Sequence, residues 1–305
     1  MKKNIITLAI FLISVILFWK GMIFFQKNLE DFFYAQISEP LQEMAFVKIP
    51  PKKAKPELHS ESAISVKINK SGKEKILLRK SATRTMPIAS LTKLMTALIV
   101  LENTPENDYD FSKVVMISKT AADQDNVPVY GNLKEEEALS IEELLDLMLI
   151  YSSNDAAFAF SEVIGEELFI EKMNQKAQSL GLKNTYFTNS TGLDPEDQEQ
   201  IPNYSTAQDL ATFSKYILNN HPLIFKISLE KGPYSTTNGL SDLYILLNEQ
   251  KIVGGKTGYT EKAGACMLLV LEDEKENYFI NIILGTDSPK ERIQEMQKLI
   301  NWIAL

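Results

Sequence analysis

Ser90 and Lys93 stand three residues apart in MPIASLTKLMTALIVLE (86–102), where Lys93 falls among Leu91, Leu94, Met95, Ala97, Leu98 and Ile99. A helix that is apolar on nearly every side solvates an ammonium group poorly, which lowers its pKa and makes the neutral amine accessible. One helical turn separates the two residues, so both project from one face. An amine so placed can take the proton of a serine hydroxyl and leave an activated nucleophile. Ser90 also stands at the start of the predicted helix, where backbone N–H groups and the helix dipole favour developing negative charge. Taken alone, the pair is better read as a lysine stem lying along a half-buried helix with its head in water. Ser228-Leu-Glu-Lys231 has the same spacing. Gly232-Pro233 follows it, which places that second pair at an element's end, in solvent.

Two further stretches carry groups suited to acyl transfer. Ser152-Ser153-Asn154, the only Ser-x-Asn in the chain, sits where one helical pattern stops and another begins. By itself it also suits a connector, since Ser and Asn are common turn residues. Lys256-Thr257-Gly258, within VGGKTGYT, is likewise unique in the chain. Gly254, Gly255 and Gly258 around a β-prone run suggest close backbone approach by a ligand, and a glycine-rich strand end is the plainer alternative.

The elements that must hold these groups can be read from periodicity. Residues 62–80 alternate around Ser71-Gly72, a hairpin signal. SIEELLDLMLIY (140–151) opens with a capping box, Ser140 to Glu143, and halts at Ser152; Asp155 is the expected N-cap of the next helix. EELFIEKMNQKAQSLG is a helix with Gly181 just past its end, and 205–218 is another. GACMLLVLE and YFINIILG flank DEKEN as an antiparallel hairpin, followed by a closing amphipathic helix. Strands at both ends with helices between them predict an α+β fold, an antiparallel sheet with a helical portion inserted.

In this order the three motifs resemble those of the penicillin-recognising serine enzymes. The longer stretches IASLTKLMTALIVLE, YSSNDAAFAF, FTNSTGLDPE, YSTAQDLATF and GGKTGYTEKAGACMLLVLE are similar to the D-alanyl-D-alanine carboxypeptidases among the low-molecular-mass penicillin-binding proteins, over about residues 62–300. The resemblance implies a β-lactamase-like fold, with the antiparallel sheet flanked by helices and a mostly helical subdomain. Departures are the insertion of Ile88 between Pro87 and Ala89, and Ser153 in place of the usual glycine.

What the resemblance implies chemically is acyl transfer on the terminal D-Ala-D-Ala of peptidoglycan stem peptides, inhibited by β-lactams. Ser90 would be the nucleophile, Lys93 the base and Ser152 a proton relay. Asn154, Lys256, Thr257, Gly258 and Tyr259 would bind the substrate, with the N–H groups of Ser90 and Tyr259 as the oxyanion hole. No metal or organic cofactor is needed. An endopeptidase of D-Ala cross-links would use the same residues, and an inactive wall-binding scaffold is the alternative of a different class. A β-lactamase fits less well, because no Glu-x-x-x-Asn loop to activate a deacylating water is evident.

Bulk properties narrow the classes. The 305 residues carry a formal charge of -8 with no long basic run beyond the N-terminus, which disfavours nucleic acid as a partner. One cysteine, Cys266, excludes an intramolecular disulfide framework, and two histidines leave little for a zinc site. Lys2 and Lys3 precede an apolar run that reaches Phe25, interrupted by Lys20. Residues 1–25 are therefore expected to anchor the chain in the bacterial cytoplasmic membrane with the remainder outside; a cleaved signal peptide competes, without an A-x-A site directly after it. Residues 26–60, with PPKKAKPEL, are expected to be an extended linker, and 61–305 the globular domain.

Overall fold

The computed structural model describes residues 54–103, 111–124, 132–197, 199–229 and 251–303, together with Lys20. The anchor expected over residues 1–25, Lys20 aside, and most of the linker lie outside the described residues. Among the described residues no helix is long and apolar enough to cross a membrane.

In chain order, β1 (Ser62–Ile68) and β2 (Glu74–Lys80) form the hairpin read from Ser71-Gly72. A short β3 (Met86–Pro87) leads into a 3-10 helix, Ala89–Thr92, which passes directly into α1 (Lys93–Asn103). There follow β4 (Val114–Met116), α2 (Lys119–Ala122), β5 (Ala138–Ser140), α3 (Ile141–Ile150), α4 (Asn154–Glu162) and α5 (Glu166–Ser179). Then come β6 (Tyr204–Ser205), α6 (Ala207–Asn220), α7 (Leu223–Ile227), β7 (Lys251–Thr260), β8 (Gly264–Glu272), β9 (Tyr278–Thr286) and α8 (Pro289–Ile303).

The main sheet is antiparallel throughout, in the order β2-β1-β9-β8-β7. β8 reads as an unbroken apolar run because both its faces are covered. Cys266, Leu268 and Val270 join the core shared with the inserted helices, whereas Met267, Leu269 and Leu271 join Met296, Leu299 and Ile300 of α8. The period-two alternation of a strand is thus split between two cores. α1 is enclosed by α3, α4 and α5, and every residue from Lys93 to Leu101 is buried. That enclosure is why its sequence is apolar on all sides.

Four expectations change. Ser90 lies on the 3-10 helix, with the α-helix beginning at Lys93. Ser153, not Asp155, caps α4: its hydroxyl accepts from the Ala156 N–H at 3.1 Å, while the Asp155 carboxylate accepts from the Leu133 N–H at 2.7 Å. Ser228 is fully buried rather than in solvent; it donates to the Phe225 carbonyl at 2.7 Å and accepts from the Gly255 N–H at 3.1 Å. The packed body begins before residue 61, because Leu58 is buried with the α8 cluster and Glu295 accepts the His59 and Ser60 N–H groups at 2.6 and 3.2 Å. The capping box at Ser140 and Glu143 forms as expected, and Gly181 follows α5 with φ of +70°.

Candidate active site

The site gathers at the start of α1, the break between α3 and α4, and strand β7. Lys93 is 0% exposed. Its Nζ lies 3.0 Å from Ser90 Oγ, 2.6 Å from Asn154 Oδ1 and 2.6 Å from the Thr191 carbonyl oxygen. Two of these partners can only accept; the hydroxyl can also donate. A neutral amine has two N–H bonds and one lone pair. The amide and the carbonyl can take the two N–H bonds, leaving the lone pair to the Ser90 O–H. Burial, and after it the charge of Lys256, hold the Lys93 pKa well below its ordinary value.

A second lysine faces the second serine. Lys256 Nζ donates to Ser152 Oγ at 2.8 Å and to the Thr257 carbonyl at 3.0 Å. Its pKa is lowered to about 7, first by burial and then by the nearby Arg292 guanidinium. Ser152 itself holds φ of +63°, and Ala89, immediately before Ser90, holds φ of +46°. Non-glycine residues in the left-handed region cost of order 1–3 kcal/mol and persist only where the surroundings enforce them.

β7 packs against the 3-10 helix at Gly258. A Cβ there would stand 3.0 Å from the Ser90 nitrogen and 3.1 Å from the Ile88 oxygen, so a side chain would push the strand and the 3-10 helix slightly apart. The neighbour at Gly254 is Phe225, at 2.3 Å from such a Cβ. The close approach expected of a ligand at that glycine is made by the protein itself. Thr257 is partly buried and Tyr259 is 53% exposed beside the site.

All eight residues singled out in the sequence belong to these three elements. Two participants were missed. The Thr191 carbonyl belongs to a loop whose Gly192, at φ of +86°, leaves a would-be Cβ only 2.1 Å from the Ala89 carbonyl oxygen. Arg292 of α8 is buried, with Nη1 donating to the Gly258 carbonyl at 3.1 Å and 3.5 Å from that of Cys266. The signal for the first was STGLD within a longer stretch; for Arg292 the sequence offers none beyond a cation on the closing helix. Among the described residues no group of three or more His, Cys, Asp or Glu side chains could hold a metal ion.

A family model described as D-alanyl-D-alanine carboxypeptidase matches residues 50–288. The chain belongs to that family. Among the family's curated members, D-alanyl-D-alanine carboxypeptidase DacF of Bacillus subtilis is 33% identical over 238 residues, covering 75% of this chain and 58% of DacF. A D-alanyl-D-alanine endopeptidase of Haemophilus influenzae is 35% identical over 208 residues, 65% of this chain and 66% of that protein. The chain therefore spans little more than half the length of DacF and about two thirds of the endopeptidase. In structure, penicillin-binding protein D2 of Listeria monocytogenes in its cefotaxime-bound form superposes with a TM-score of 0.68 at 26% identity, over 82% of this chain and 98% of that one. The β-lactamase-like α+β architecture is thus that of the low-molecular-mass penicillin-binding proteins.

Proposed function

We propose that the chain is a serine-type D-alanyl-D-alanine carboxypeptidase that removes the terminal D-Ala of peptidoglycan stem peptides. The observation that carries this reading is the enclosure of Lys93, which holds an amine against Ser90 with acceptors for both of its N–H bonds. Ser90 Oγ attacks the penultimate D-Ala carbonyl as its proton passes to Lys93. The Ser90 and Tyr259 N–H groups receive the oxyanion, an interaction worth roughly 3–4 kcal/mol per donor in other acyl-transfer enzymes. Ser152, in contact with Lys256, relays a proton to the departing amine. Asn154 orients Lys93 and the substrate backbone, and Lys256 with Thr257 receives the terminal carboxylate. That carboxylate stabilises the Lys256 ammonium, whose charge in turn disfavours a second ammonium at Lys93. Water then hydrolyses the acyl-enzyme.

β-Lactams fit this reading as inhibitors, since a strained lactam offers the same carbonyl and leaves a bulky acyl group. The cefotaxime-bound form of the Listeria protein supports it. The Haemophilus endopeptidase keeps a second reading in view, cleavage of D-Ala cross-links by the same residues. The apolar run after Lys2 and Lys3 supports placement on the outer side of the cytoplasmic membrane, held by residues 1–25. The deciding experiment weighs the products of a D-Ala-D-Ala pentapeptide and of a cross-linked dimer. Loss of one alanine from the pentapeptide supports the carboxypeptidase; cleavage of the dimer alone transfers the activity to the endopeptidase reading.

A further inference from the structure

Arg292 is a buried cation that faces no carboxylate among the described residues. It is 7% exposed, and its Nε has no hydrogen-bond partner among them. Removing a charge from water without a counter-ion is expensive. What it contacts instead is backbone: Nη1 donates to the Gly258 carbonyl at 3.1 Å, with the Cys266 carbonyl at 3.5 Å.

The Gly258 carbonyl and the Tyr259 N–H belong to one peptide unit. In a planar trans peptide these two groups point in opposite directions, and among the described residues no peptide bond is cis. With the carbonyl turned toward Arg292, the Tyr259 N–H is turned the other way. Among the described residues β7 ends the sheet order, and its backbone at Gly258 lies against the Ser90 nitrogen. We infer that Arg292 is a positioning residue that orients and polarises the Gly258–Tyr259 peptide, strengthening the Tyr259 N–H as an oxyanion donor. A charged donor on the carbonyl withdraws electron density from the amide and makes its N–H a better donor, as in any hydrogen-bonded chain. The inference rests on the proposed acyl transfer through Ser90.

The test uses Arg292→Gln, which removes the charge, and Arg292→Lys, which keeps it on a compact single donor. Labelled penicillin counts acylable sites, rapid mixing gives the acylation rate per site, and infrared difference spectra of a lactam with a 13C-labelled carbonyl report the acyl-ester stretch. Arg292→Gln is expected to acylate to the same stoichiometry about tenfold or more slowly, short of the about 100- to 1000-fold lost when an oxyanion donor is deleted. Its ester stretch moves to higher wavenumber, the peptide KM stays as in the parent, and Arg292→Lys falls between in rate and frequency. The rate deficit persists at pH values on both sides of the Lys256 titration. If Arg292→Gln does not fold, the Lys variant decides alone: a slower rate with a raised stretch supports the inference, and parental values of both overturn it. It is equally overturned by fewer acylable sites at an unchanged rate per site, by a raised KM at constant kcat, or by a deficit that vanishes at high pH. A parent protein that penicillin never labels would instead refute the proposed function, before any variant is made.

Discussion

Lys256 Nζ rests 2.8 Å from Ser152 Oγ, joining the third motif to a serine that the backbone holds in a left-handed conformation. The pairing requires Lys256 to be buried, and burial is the larger cause of its lowered pKa. Between about pH 7 and pH 9 the folded lysine has lost its proton while the unfolded one, titrating near 10.5, has kept it. The unfolded state then binds more protons, so stability rises with pH across that window. Above it the buried Cys266 thiol, raised to about 11, works in the opposite direction. Urea denaturation from pH 7 to pH 9 should therefore show increasing stability, with a shallower slope in Lys256→Met. A flat wild-type profile would mean that Lys256 stays charged in the folded protein.

A β-lactam should acylate Ser90 and leave Ser228 untouched. Both serines have a lysine three residues on, but the Ser228 hydroxyl is buried and engaged by Phe225 and Gly255. Peptide mapping by mass places the adduct. Lys93→Arg should lose about 100-fold or more of the acylation rate, since a guanidinium cannot serve as base. It should also lose about 1–3 kcal/mol of stability, because the larger group must enter a filled site. An adduct on Ser228, or normal labelling of the Arg variant, would falsify the assignment.

Gly192→Ala should damage stability and activity together. The new methyl would meet the Ala89 carbonyl at 2.1 Å, on a residue held at φ of +86°. Relief must move either the residue before the nucleophile or the Thr191 carbonyl that holds Lys93. Thermal melting and penicillin titration of the same sample check this. Parental values in both would show that the loop yields without disturbing its neighbours.

Chains begun at residue 54 and at residue 61 should differ. Residues 54–305 form one contiguous packed unit. The shorter chain exposes the Leu58 pocket, a loss of about 1.5–3 kcal/mol, and removes two N–H donors from the buried Glu295 carboxylate. The 54–305 chain should match the full-length protein in its rate on a soluble D-Ala-D-Ala peptide. Equal melting temperatures for the two truncated chains would show that residues 58–60 contribute nothing.

The parts of this molecule that could be read in the sequence are those whose cause is local. The capping box at Ser140 and Glu143 needs only four residues, and the β8–β9 hairpin only two apolar runs and a polar turn. The cap of α4 was misread because Ser153 and Asp155 are both capping residues; the choice fell to Leu133, whose N–H occupies the Asp155 carboxylate. Thr191 contributes a backbone carbonyl, which every residue type possesses. Arg292 sits in a charged stretch that reads as a solvated helix face, and its burial arises only when α8 packs against β8 and β9. The three motifs were legible as side chains, while the atoms that orient them were not.

Glu295 and Arg292 are three residues apart on α8, hence about one turn. One grips the incoming chain at His59 and Ser60, and the other holds the Gly258 carbonyl. Tension applied to the chain at its N-terminal side would thus be shared between Lys80, which donates to the Leu58 carbonyl, and Glu295, through two backbone hydrogen bonds to its carboxylate, before it reached β1. The helix that shares this load is the one whose guanidinium contacts the strand beside Ser90. A mechanical pull and the geometry of the third motif therefore share a single rigid element, with one helical turn between the point of loading and the point of contact.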